Sequence, residues 1–163
     1  SFDTAMPEEI NRVLTDRISD LLFVSEPSGL ANLEREGVDA DKVHFVGNVM
    51  IDSLRFNRAK ADESNILADL GLTAGQYVIV TLHRPSNVDD PAVFSRILDA
   101  LEQVQADLPI VFPMHPRTKN NIEKMGFAAR VEAMQQLRIL EPLGYLEFLK
   151  LLAEAAAALT DSG

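Results

Sequence analysis

Two of the three histidines in this chain have an arginine within two residues on their C-terminal side, in His83-Arg84 and His115-Pro116-Arg117. An imidazole offers a directed hydrogen-bond donor and can move a proton near neutral pH; a guanidinium presents a two-pronged fork to a carboxylate or phosphate. Such pairs suit an anionic ligand, for example a diphosphate. A lone histidine is more simply read as bonded to a neighbouring loop. The recurrence of the pair, in a chain with 15 Lys and Arg against 25 Asp and Glu, favours function. His44 alternates with Val43 and Phe45 in a strand-like run and is assigned no role. Thr160-Asp161-Ser162-Gly163 follows an apolar run and has the composition of a turn that cradles phosphate with hydroxyl and backbone N–H groups. Glu8 and Glu9 read as ordinary first-turn acids, and Phe148 as either core or an aromatic platform.

These residues need elements that carry them to one place. Residues 77–82 (YVIVTL) form a continuous apolar run, the mark of a central parallel strand covered on both faces. Helix 91–105, strand 110–112, helix 118–135, strand 137–140, helix 145–153 and strand 156–160 follow it, so that four strands are joined by helices. Upstream, helix 7–16, strand 20–25, helix 29–37 and strand 43–46 make a strand-helix-strand unit, and 49–69 reads as a mostly helical connection. The expected class is α/β with parallel strands. In such sheets ligands gather where strands end, and His83-Arg84 and His115-Arg117 both stand just past strand ends.

The composition narrows the partners. A net charge of −10 argues against nucleic acid, which requires clustered Lys and Arg. The absence of cysteine excludes disulfides and thiolate metal sites, and a cytoplasmic location is expected. No apolar run has the length of a membrane span and no signal-peptide pattern is present, so no membrane partner is expected. No His, Asp and Glu set has metal-ligand spacing. The first residue, Ser1, and the last four suggest a fragment.

Six motifs in order resemble the non-hydrolysing UDP-N-acetylglucosamine 2-epimerases: residues 6–12 (MPEEINR), Gly47-Asn48 with Ile51-Asp52, 81–87 (TLHRPSN), 113–118 (PMHPRT), 142–148 (PLGYLEF) and 159–163 (LTDSG). The resemblance implies Rossmann-like parallel sheets of a GT-B two-domain fold, with residues 1–48 the end of the N-terminal domain and 49–163 the first part of the C-terminal, UDP-binding one. It implies interconversion of UDP-GlcNAc and UDP-ManNAc by elimination and re-addition of UDP, no cofactor, and a homodimer for the full-length protein, with this segment alone inactive. By motif matching, Glu8 and His83 resemble family catalytic residues. Arg84 and His115 resemble residues that hold the nucleotide-sugar in the active site or in a neighbouring regulatory site, Phe148 the one that packs on uracil and Ser162 the one that binds the phosphates, and Arg117 and Gly163 are expected to bind substrate beside them. Ser86 stands where many members carry Glu, so an acid role there is not carried over. Alternatives are a hydrolysing 2-epimerase, a GT-B glycosyltransferase and a non-catalytic nucleotide-binding domain.

Overall fold

The computed structural model describes residues 6–162. The chain divides between Phe56 and Asn57 into two compact units.

In the first unit, helix α1 (Pro7–Ile18) starts on a proline whose fixed φ suits a first turn, with Glu8 and Glu9 beside the positive end of the helix dipole. Strand β1 (Leu22–Val24) runs parallel to β2 (Val43–Phe45) in the register Leu22↔Val43, and helix α2 (Pro27–Arg35) connects them. Leu22, Val24 and Leu33 make the small core. Gly29 is needed for this packing, because a Cβ there would stand 2.7 Å from Val24 Cγ1. Helix α3 (Val49–Asp62) begins after Gly47, whose φ of 73° only glycine adopts readily.

The second unit holds α4 (Ile66–Asp69), β3 (Val78–Thr81), α5 (Pro85–Val88), α6 (Pro91–Val104), β4 (Ile110–Pro113), α7 (Pro116–Lys124), α8 (Ala128–Glu132), β5 (Leu137–Leu140), α9 (Tyr145–Glu154) and β6 (Ala157–Thr160). The strands form one sheet in the order β5-β4-β3-β6 with every neighbour parallel. Alternate residues of β3 and β4 serve two cores, as the period of two requires. Val80, Ile110 and Phe112 pack with Phe94, Leu98 and Leu101 of α6 on one face, and Ile79 and Val111 with Tyr77 and Leu151 on the other. Tyr77 is fully buried, its hydroxyl donates to Leu151 O at 2.5 Å, and burial pushes it up to about 12. Strand β6 is an edge strand exposed along its length.

The single helix expected over 118–135 is corrected to two, α7 and α8, and α7 begins earlier, at Pro116. Gly126 stands between them with φ 75°, a left-handed value that ends the first helix. A Cβ at Gly126 would meet nothing within 4 Å, so its substitution is opposed by backbone conformation alone. Gly126→Ala is therefore expected to lower stability by about 1–2 kcal/mol. Urea unfolding checks this, and an unshifted midpoint would count against the left-handed cap.

Candidate functional site

The four parallel strands deliver their following loops to one edge of the second sheet. Strands β3 and β4 are direct neighbours, in the register Val78↔Ile110 and Ile79↔Val111. The loops that carry His83-Arg84 and His115-Pro116-Arg117 therefore leave from adjacent positions. Both loops are brief because each ends on a proline that starts the next helix, Pro85 for α5 and Pro116 for α7. His115 is the N-cap of α7, its Nδ1 accepting from the Arg117 backbone N–H at 3.2 Å. A ring nitrogen that accepts carries no proton, so the neutral imidazole presents Nε2–H as its donor.

Two hollows share these histidines. One, about 210 Å³, is lined by Leu82, His83, Val88, His115, Arg117 and Thr118. The other, about 250 Å³, is lined by His83, His115 and half-buried Phe148, with Thr81, Met114 and Leu143. Each is smaller than the roughly 300–1,000 Å³ of a usual ligand pocket. The two histidines form the wall common to both. Phe148 thus sits at the edge as well as against the core around Leu151, which accommodates both readings of its spacing.

The two arginines differ. Arg117 Nη2 lies 2.5 Å from Asp89 Oδ2, and Asn121 holds the other oxygen of that carboxylate at 2.8 Å, so a local carboxylate already compensates the charge of Arg117. Arg84 donates through Nε to the Asp161 carbonyl at 2.7 Å, and no described residue holds its Nη nitrogens. Its fork is open to a ligand.

The turn after β6 completes the arrangement. Thr160 Oγ1 lies 2.8 Å from Ser162 Oγ and accepts from the Ser162 N–H at 3.1 Å, while Thr81 Oγ1 donates to Thr160 Oγ1 at 3.0 Å. The side chain of Asp161 is turned inward, 8% exposed against 67% for His83. It accepts from the backbone N–H of His83 at 3.0 Å, from that of Arg84 at 2.9 Å and from Asn87 Nδ2 at 2.9 Å. Burial pushes this carboxyl up, but the Arg84 N–H, Asn87 and the His83 N–H outweigh it and hold it below the usual carboxylate range. Gly163 lies outside the described residues.

On the first unit the two acids of the Pro-Glu-Glu sequence separate cleanly. Glu9 is buried and bound to Arg12 Nη2 at 2.7 Å, and that bond holds its carboxyl below the ordinary range. Arg12 also binds Asp16 and Glu36, each at 2.7 Å, which makes Glu9 part of a structural ion cluster. Glu8 is exposed and makes none of these contacts. Among the described residues no group of three or more His, Cys, Asp and Glu is placed to hold a metal ion, and no helix is long and apolar enough to cross a membrane.

The sequence pattern of UDP-N-acetylglucosamine 2-epimerases matches residues 1–163. The chain belongs to the UDP-N-acetylglucosamine 2-epimerase family. It is 40% identical to the UDP-2,3-diacetamido-2,3-dideoxy-D-glucuronate 2-epimerase of Pseudomonas aeruginosa, over 100% of this chain and 44% of that protein. It is 39% identical to the UDP-N-acetylglucosamine 2-epimerase of Methanocaldococcus jannaschii, over 100% of this chain and 46% of the relative. The crystal structure of the M. jannaschii UDP-GlcNAc 2-epimerase in complex with UDP-GlcNAc and UDP superposes with a TM-score of 0.83 at 39% identity, covering 100% of this chain and 46% of that one. The chain thus spans less than half the length of these relatives. Its α/β architecture with parallel sheets agrees with a portion of the GT-B fold expected for a 2-epimerase.

For a UDP-N-acetylglucosamine 2-epimerase family member, the residue that sequence reasoning passed over is Asp161. The turn has the composition of a phosphate cradle, yet it carries an acid. A buried negative charge in a turn of that composition needs nearby donors, and this is the signal the sequence offers.

Proposed function

We propose that the full-length protein carrying this chain inverts C2 of a UDP-linked N-acetylated sugar, interconverting UDP-GlcNAc and UDP-ManNAc. The proton at C2 is removed, the C1–O bond breaks and UDP departs as an anion. Re-addition of UDP to the resulting glycal and return of a proton to the other face of C2 give the epimer, and no redox cofactor is required. The observation that carries this reading is the delivery of His83-Arg84 and His115 to one sheet edge by adjacent parallel strands, in a chain that the family pattern matches throughout. His83 takes part in proton transfer, and the open fork of Arg84 with the Ser162 turn receives the diphosphate, whose charge grows as the bond to C1 breaks. Phe148 provides the face for uracil, and His115 an Nε2–H donor to the nucleotide-sugar. Glu8, exposed where Glu9 is buried and bound to Arg12, is the carboxylate proposed for the reaction through its resemblance to a family catalytic residue.

A second reading of the sugar rests on the 40% identity to the diacetamido-glucuronate 2-epimerase, against 39% to the M. jannaschii UDP-GlcNAc enzyme. The chemistry at C1 and C2 is the same, and the difference lies at C3 and C6. Incubation of the full-length protein with each UDP-sugar, followed by proton NMR of C2, decides between them. UDP-ManNAc from UDP-GlcNAc supports the first. Conversion of the diacetamido substrate alone supports the second, and free ManNAc as the sole product overturns both. Calorimetry with UDP supplies a further check. His115→Ala is expected to weaken UDP binding by about 1–3 kcal/mol, the cost of one hydrogen-bonding partner lost from a polar site; unchanged affinity removes His115 from it.

A further inference from the structure

We propose that Asp161 is a positioning residue of this site: its carboxylate sets the backbone of His83 and Arg84, and so fixes where the imidazole and the guanidinium point, without itself touching the ligand. The inference rests on the epimerase reading given above.

The geometry supports it in three ways. First, the carboxylate oxygens face the two consecutive backbone N–H groups at 3.0 and 2.9 Å, so both residues of the His-Arg pair are held by one group across a separation of 78 and 77 residues. Second, the same residue turns its own carbonyl to Arg84 Nε at 2.7 Å, which orients the guanidinium while leaving its outer nitrogens open. Third, Asn87 Nδ2 closes the ring of donors at 2.9 Å, so the start of α5 is fastened to the same carboxylate. These partners lie along one stretch, residues 83–87, and that stretch carries the chemistry.

A direct role for Asp161 as base or ligand group fits poorly. The side chain is 8% exposed, and its two oxygens already accept from three donor groups, so little of it is left to meet a substrate. The carboxylate would also repel a diphosphate if its charge were not already spread over the His83, Arg84 and Asn87 donors. An apolar replacement leaves the two backbone N–H groups without their partner, and the loop between β3 and α5 loses its anchor. Replacement by Asn keeps one acceptor oxygen but places an NH2 group against N–H donors, so part of the anchoring survives.

The test uses the full-length protein, with kcat expressed per UDP-binding site so that lost folding is counted separately. Asp161→Ala is expected to lose about 100-fold in kcat, the scale for displacement of a catalytic group by about 1 Å. Asp161→Asn is expected to lose about 10-fold, equivalent to one weakened hydrogen bond. In both, kcat is expected to fall by a larger factor than KM rises, because the main-chain carbonyl that takes Arg84 Nε survives the substitution while the His83 backbone loses its anchor. A loss explained entirely by fewer UDP-binding sites, or an Ala variant within about threefold of the parent in kcat, overturns the proposal. If the parent turns over neither UDP-sugar, the functional reading fails, and the clasp is then judged by amide exchange. The His83 and Arg84 N–H groups are expected to exchange at least about tenfold faster in Asp161→Ala, the loss of one hydrogen bond. Unchanged exchange overturns the clasp itself.

Discussion

Replacing His83 by alanine in the full-length protein is expected to lower kcat for C2 epimerisation by about 10²–10⁴-fold, the usual contribution of a positioned acid or base. The imidazole stands at the end of β3, forms part of the wall of both hollows and is 67% exposed, so no packing is lost with it. The thermal midpoint should accordingly stay where it is. The backbone N–H of residue 83 still reaches Asp161, and the loop keeps its course. Rate is then lost without fold, and the KM for the UDP-sugar changes far less than kcat. His83→Gln, which retains a donor but cannot take up a proton, separates hydrogen bonding from proton transfer. Recovery of most of the rate in the Gln variant would make His83 a binding group, and an Ala variant within tenfold of the parent would remove it from the reaction.

The second large effect concerns stability. Phe94 on α6 is 1% exposed and packs in the core with Val80, Ile110 and Phe112, its ring 6.1 Å from that of Phe127 just before α8. Phe94→Ala is expected to cost about 3–5 kcal/mol through lost burial and the cavity left behind. That is a large part of the roughly 5–15 kcal/mol that holds a domain together. Urea unfolding of the full-length protein should show the transition of the second unit at a lower midpoint with its slope preserved. A cost below about 1.5 kcal/mol would mean that the site collapses around the gap and that α6 is less tightly packed than its burial indicates.

Much of the second sheet was legible because its two central strands, β3 and β4, are buried on both faces. Residues 77–82 and 110–112 carry apolar runs with no helical period, and β3 and β4 lie within them or within one residue of them. The His-Arg pairs were legible as strand-end residues, and the parallel pairing of β3 with β4 brings them side by side. The break between α7 and α8 was not, since Ile122, Met125, Val131 and Met134 continue an apolar pattern across it and only the φ of Gly126 interrupts the chain. The partners of charged groups were also hidden. Arg117 finds Asp89 across 28 residues, and Glu9 is distinguished from Glu8 only by the arrival of Arg12 on the same helix face. Periodicity states which side of an element faces inward, but it is silent on which distant carboxylate meets which cation. Asp161 belongs to this last group, because two of its three partners are backbone N–H groups, which nearly every residue carries.

The pairing of β6 with β3 has a consequence for the order in which the second unit assembles and opens. Its pairing with β3 joins Val78 to Ala157 and Thr81 to Thr160, so the strand can dock only after the chain between them has been gathered in. Contacts of such long sequence separation close late, because the entropy of the intervening loop has to be overcome first. Running the process backwards, the pairing that closes last opens first, so β6 parts from β3 before the buried strands β3 and β4 separate. The local unzipping of β6 would carry Asp161 and Ser162 away from the His-Arg loop while the core stays closed. Binding competence and global folding are then separate equilibria, and a ligand held by that edge strengthens the weaker one.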